Sequence, residues 1–294
     1  NMLSGSLEND KMYSPGDEAL VVVSYDDAGG ITSVTMTDHY RVDKEVILAI
    51  MFIVLLILFA GKNGVFAVLS FVITVLMIWK ILVPCYLRGM NPVIVGMGIT
   101  VVLTAVIIFL VYGVDKRTLT AFMGSMLGTA TTCIIGMIFT DMFKIHGAVM
   151  SYSETLLYSG YQHLNLTQIF VSGIFIGASG AMMDLSVDIT SAVHEVVQKK
   201  PDISWKEAAK SGMNVGRAAM GTMTTTLLLA YSGGYIALLM TFMAQGTPII
   251  NILNYKYVAS EVLDTLVGSF GLVTVAPFTA LMSGLMLTGG RKEK

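Results

Sequence analysis

Seven long apolar runs, separated by short polar turns, constrain this chain more than any other feature of it. A helix needs about 20 predominantly apolar residues to cross the hydrocarbon core of a bilayer, with a range of roughly 17–25. The runs fall at about 46–60, 65–86, 92–113, 120–143, 167–197, from Arg217 past Gly233, and 264–288. The first is short unless its flanks contribute, and the turn Gly61-Lys62-Asn63-Gly64 sends the second back antiparallel to it. Pro92 opens the third, Asp115-Lys116-Arg117 divides it from the fourth, Asp202 or Ser204 is expected to start a short surface helix, SWKEAAKSG, ahead of the sixth, and Pro277 interrupts the last. Trp79 and Tyr86 suit an interfacial belt at the end of the second run. The fold class expected is therefore an α-helical polytopic membrane protein of about seven spans, a permease-like bundle.

Composition agrees. Hydrophobic residues make up 54% of the chain and charged residues only 13%, where a soluble domain carries about a quarter. The net charge of −2 comes with no basic cluster, so nucleic acid is not an expected partner. Cys85 and Cys133 lie in or near apolar runs and read as small buried hydrophobes. His146 ends the fourth run with no second His or Cys at metal-site spacing, and neither metal nor cofactor is expected.

Residues 1–42 differ from all that follows. ALVVVSY and ITSVTMTDHY read as two β-runs joined by a turn over Asp26-Asp27-Ala28-Gly29-Gly30. A lone hairpin is marginal in water, so this segment is expected to end a larger β-domain or to pack on a partner. Residues 43–294 form the helical domain. With the C-terminus inside, most loop lysines and arginines, among them Lys62, Lys116, Lys199 and Lys200, fall on the cytoplasmic side, and Arg291, Lys292 and Lys294 follow them. The β-segment is then extracytoplasmic.

The chemistry concentrates in the fifth run, GASGAMMDLSVDITSAVHEV. Asp184 and Asp188 stand four apart and share one helical face, which Ser191 and Glu195 continue. A carboxylate at membrane depth costs at least ~2.5–3.5 kcal/mol, so it should face protein or water. The following run opens with small and hydroxyl residues, GRAAMGTMTTT, which makes Thr222, Thr224, Thr225 and Thr226 candidate hydrogen-bonding partners in a proton relay with Asp184, Asp188 and Glu195. The competing reading is a structural clasp, since Ser, Thr and Asp bond across membrane bundles. Gly124 and Gly128 form a GxxxG pair in the fourth run, and Gly173, Gly177 and Gly180 give the fifth a smooth side. Close helix packing is one meaning of those glycines; the lining of a polar path is the other.

The stretches GIFIGASGAMMDLSVDITSAVHEV and WKEAAKSGMNVGRAAMGTMTTTLLLAYSGG resemble the YibE/F family of bacterial membrane proteins, over about 46–288. The β-segment is similar to that family's extracytoplasmic portion, which an anchoring helix would precede; the chain begins at Asn1. More distantly, the same stretches are similar to the permease core of resistance-nodulation-division exporters and of SecD and SecF. That resemblance implies proton carriage at Asp184 and Asp188, acidic helix ends at Glu195 and Glu207, and hydroxyls at Thr224 and Thr225. It also implies a second bundle, because the related permeases contain two halves, so a homodimer or heterodimer is open. The chain departs from those proteins in having one bundle, no large porter domain and no membrane lysine facing the acids. The function expected is a proton-coupled secondary transporter or permease subunit for an unknown small solute, in the bacterial cytoplasmic membrane. The alternative is an assembly or accessory protein without a substrate of its own. No nucleophile geometry, HExxH helix or nucleotide loop suggests an enzyme.

Overall fold

A computed structural model describes Gly5 and residues 10–289; Arg291, Lys292 and Lys294 lie outside the described residues. The chain divides into two compact units, Asn1–Val68 and Leu69–Lys294.

In the first unit, β1 (Ala19–Tyr25) pairs antiparallel with β2 (Ile31–His39), Val23 opposite Val34. The turn closes where Asp26 Oδ1 accepts from the amides of Ala28 at 3.0 Å and Gly30 at 2.6 Å, with Gly29 left-handed at φ 83°. Arg41 and Lys11 both pair with Asp38, at 3.0 and 3.5 Å. Helix α1 (Val42–Met77) follows and is broken at Gly61, whose φ of 57° and ψ of −129° no helix contains. That backbone favours glycine. Beyond it Gly64 returns against the first arm, where a Cβ would stand 2.5 Å from the Leu56 carbonyl. The expected reversal at Gly61 is present.

The second unit holds the bundle. A π-helical turn (Ile78–Leu82) leads into α2 (Val83–Leu87). Pro84, with no N–H to offer the preceding turn, accounts for the irregular hydrogen bonding there. Helix α3 (Pro92–Tyr112) starts on an Asn91 cap and α4 (Lys116–Met142) on a reciprocal capping box between Asp115 and Thr118. After a 3-10 turn and α5 (Ser153–Tyr158) come α6 (Leu166–Lys199), capped by Asn165, and α7 (Trp205–Ser232), capped by Ser204. A second 3-10 turn at Gly233–Tyr235 joins α7 to α8 (Ile236–Ala244); α9 (Ile249–Asn254) and α10 (Lys256–Leu287) complete the chain.

Among the described residues six helical runs are long and apolar enough to cross a membrane. The first of them, Val42–Leu87, contains the break at Gly61.

Two boundaries differ from the sequence reading. SWKEAAKSG is not a separate surface helix but the opening turns of α7, because Ser204 caps it and no Pro breaks it before Arg217. Its charged side chains turn outward while Gly212 and Gly216 are buried; a Cβ on Gly212 would lie 2.7 Å from Val193 Cγ2. The last helix starts at Lys256 instead of 264 and runs through Pro277 unbroken.

Helix α6 is the axis of the unit. It packs on α3, α4, α7 and α10, and α10 packs in turn on α4 and α7. Its inward face, Ala178, Met182, Leu185, Ile189 and Val193, recurs every three or four residues and is buried with Leu272, Val275 and Ala276 of α10. Small residues on α4 allow this closeness. A Cβ on Gly128 would meet Val275 Cβ at 2.8 Å, and one on Gly124 would overlap Thr279.

Candidate functional site

Two closely spaced pairs of carboxylates lie within apolar helices of the second unit: Asp184 and Asp188 on α6, Glu261 and Asp264 on α10.

At 34 residues, α6 is about 51 Å long, well beyond the ~30 Å hydrocarbon core, so an end must project from the membrane. The C-terminal turns carry the charge: Glu195 pairs with Lys199 at 2.6 Å, and His194 bonds Gln198 at 2.8 Å. Asp184 and Asp188 come before this end, on the face opposite the core. Gly173, Gly177, Asp184 and Asp188 are exposed along that face, with Gly180 half-buried between them. Among the described residues, no atom outside the local backbone of α6 lies within 4 Å of a Cβ built on Gly173 or Gly180, whereas one on Gly177 would meet the Tyr231 hydroxyl of α7 at 2.8 Å. Gly124 and Gly128 thus sit at close helix contacts and Gly177 comes against Tyr231, while Gly180 faces open space.

The two aspartates are near enough to interact with each other and with Tyr112 at the end of α3, which also senses Arg117. Arg217 on α7 is exposed at about the depth of Asp188, since its neighbour Gly216 packs on Ile189 Cδ1. Among the described residues no hydrogen bond joins either aspartate to Thr222, Thr224, Thr225 or Thr226. Each of those hydroxyls donates to a carbonyl three or four residues back in α7 at 2.9–3.2 Å. This is the usual resort of a threonine with no better acceptor in a helix.

The hydroxyls that do bridge α6 are elsewhere. Ser186 bonds Thr279 at 3.0 Å and Thr190 bonds Ser283 at 3.2 Å, both pairs fully buried between α6 and α10. Tyr86 of α2 donates to Ser172 of α6 at 2.8 Å, and Ser172 donates onward to the Ile169 carbonyl. Tyr86, expected at an interfacial belt, thus ties two helices together. Trp79 remains exposed, with Lys80 4.1 Å above its ring.

Sequence reasoning missed the second carboxylate pair, because it began the last span at Asp264 and so counted that residue as a boundary. Their three-residue spacing on an apolar helix was the available signal. Tyr235 stands beside Glu261, and Tyr231 lies within electrostatic range of both acids. Asp264 Oδ1 is buried without a hydrogen-bond partner. Among the described residues no group of His, Cys, Asp and Glu is arranged to hold a metal ion. Cys133 is buried and Cys85 half-buried, both as free thiols.

Long apolar helices that pack around a central one, carry acids along their length and hold charge at their ends define a polytopic membrane protein. Residues 48–289 match the family model for YibE/F-like protein, which covers more than half of the sequence, and the chain belongs to that family. No curated protein and no solved structure matches it.

Proposed function

We propose that this chain is a proton-coupled permease subunit, a secondary transporter of an unidentified small solute in the bacterial cytoplasmic membrane. It is not an enzyme in this reading. It works beside a second permease-like half, either another copy or a different chain. The observation that carries the proposal is the open face of α6, where Asp184 and Asp188 stand one turn apart between the glycines and the charged end. Leaving either carboxylate against lipid would cost ~2.5–3.5 kcal/mol or more, so a face that presents both is suited to a hydrated path or a partner helix. Two carboxylates one turn apart on such a face offer adjacent acceptors between which a proton can pass. The distant resemblance of the α6 and α7 sequences to the resistance-nodulation-division and SecD/SecF core, which implies a proton-carrying carboxylate in this span, favours the same assignment. Glu195 is held by Lys199 and the α7 threonines by their own helix, so the shuttling role falls to the aspartates.

The second reading, an accessory subunit that couples proton flow to a partner's movement, draws on Gly173 and Gly180, whose open surroundings fit a docked helix. Vesicles loaded with a pH-sensitive dye and given an imposed proton gradient test the first. Wild-type protein should raise proton flux above that of empty vesicles, and Asp184→Asn, which keeps the side chain's size, should abolish the increase. Equal flux from both would remove Asp184 from the mechanism. No flux from either would leave the accessory reading as the better one.

A further inference from the structure

Glu261, one member of the second carboxylate pair, borders a cavity of about 230 Å³ between α7, α8 and α10. Leu228, Leu239, Val262 and Leu266 form its walls, and all four are exposed, so it opens on an apolar surface. Its polar end is Glu261 with Tyr235 beside it. Three residues further along α10, Asp264 has one carboxylate oxygen buried and, among the described residues, without a hydrogen-bond partner. Among the described residues neither acid has an ion pair. The nearest lysine along the helix, Lys256, sits instead over the ring of Tyr257 at 5.0 Å.

We propose that this cavity binds a lipophilic ammonium ion, with its charged head at Glu261 and its apolar body between Leu228 and Leu266. Three features select that chemistry. A carboxylate without an ion pair at the polar end disfavours anions and leaves a neutral apolar guest with nothing to offset its desolvation. Tyrosine rings beside the acids suit a quaternary or alkylated ammonium, which binds aromatic faces as well as negative charge. The hydrocarbon walls exclude a bare metal ion, which would need several further oxygen ligands. The volume is below the ~300–1,000 Å³ of drug-sized sites, so the guest is a small head with a short chain. Such a molecule reaches the cavity from within the bilayer, through its open apolar side.

The test uses the full chain in lipid nanodiscs and radiolabelled octyltrimethylammonium, whose charge does not depend on pH. Equilibrium dialysis against empty nanodiscs should show saturable binding, displaced by the unlabelled ion but not by octanol or octanoate at the same concentration. Glu261→Gln should weaken binding at least about tenfold, and Leu239→Trp, which fills the cavity, should abolish it. Because binding is read at equilibrium without a gradient, the result is independent of whether α6 moves protons. Absence of saturable binding above empty discs would overturn the proposal. So would octanol competing as well as the ammonium ion, which would mark the cavity as a crevice for lipid chains, or Glu261→Gln binding like wild type. The competition arms use wild-type protein alone, so they decide the question even if a variant fails to fold.

Discussion

Adding one methyl group to α4 and one to α6 should have opposite effects, and the structure says why. At Gly128 a Cβ would stand 2.8 Å from Val275 Cβ, 3.0 Å from Val275 Cγ2 and 3.2 Å from Met182 Sδ. Carbon atoms pack best at about 3.5–4.0 Å, so α4 and α10 would have to separate by several tenths of an ångström to 1 Å. Val275 is β-branched and close to its own backbone, so it cannot swing aside as a long side chain would. Overpacking of this kind costs roughly 1–3 kcal/mol. Against it, alanine is about 1 kcal/mol better than glycine in a helix interior. Gly128→Ala should therefore destabilise by about 0–2 kcal/mol, and Gly128→Leu, with three more carbons to place, by at least ~2 kcal/mol. At Gly180 the same methyl group meets nothing within 4 Å, so only the propensity gain remains. Gly180→Ala should be neutral or more stable by up to ~1 kcal/mol. Unfolding of the purified protein from mild detergent by increasing mole fraction of SDS, followed by circular dichroism, gives the three values in one series. A Gly128→Leu transition coincident with wild type would refute the claimed closeness of α4 and α10. Gly180→Ala falling below Gly128→Ala would show that the open face of α6 is covered in the isolated protein.

Tyr86→Phe removes the hydroxyl that links α2 to Ser172 and should cost about 1 kcal/mol in the same titration; no change would mean that the bridge is not formed. Asp115→Ala should cost about 1 kcal/mol by deleting the α4 capping box. Partial burial pushes the Asp115 carboxyl up, but hydrogen bonds from Thr118 and the nearby Arg117 outweigh it and hold the group below its ordinary value. The cap is therefore fully effective at neutral pH and loses its contribution as pH falls through that depressed value. Wild type and Asp115→Ala should converge in stability in strong acid, and a difference that persists there would show the cap's charge to be irrelevant.

Much of the architecture was legible in the residues because membrane helices satisfy their own backbone and need only an apolar run of sufficient length. The hairpin turn at Asp26–Gly30, the reversal at Gly61 and the start of α3 at Pro92 could all be read directly, since glycine and proline act locally. Boundaries were lost where a charged stretch continues a helix. The polarity of SWKEAAKSG suggested a separate element, yet Ser204 caps a helix that goes on, and only packing of Gly212 on Val193 shows which side is buried. The four-residue spacing of Asp184 and Asp188 placed them on one face, because that follows from helix geometry alone. It did not say which neighbour the face meets. The sequence suggested the threonines of α7 as partners; the buried hydroxyl pairs are with α10 instead, through Ser186–Thr279 and Thr190–Ser283. Pairing between helices depends on the rotation of each about its axis, and that rotation is set by where small residues such as Gly124 and Gly128 let backbones approach. Glu261 and Asp264 were visible as acids in an apolar run, but their conjunction with Tyr231 and Tyr235 joins residues some thirty positions apart. Local pattern determines which segments are helices and which of their residues share a face; only the packed bundle determines what each face sees.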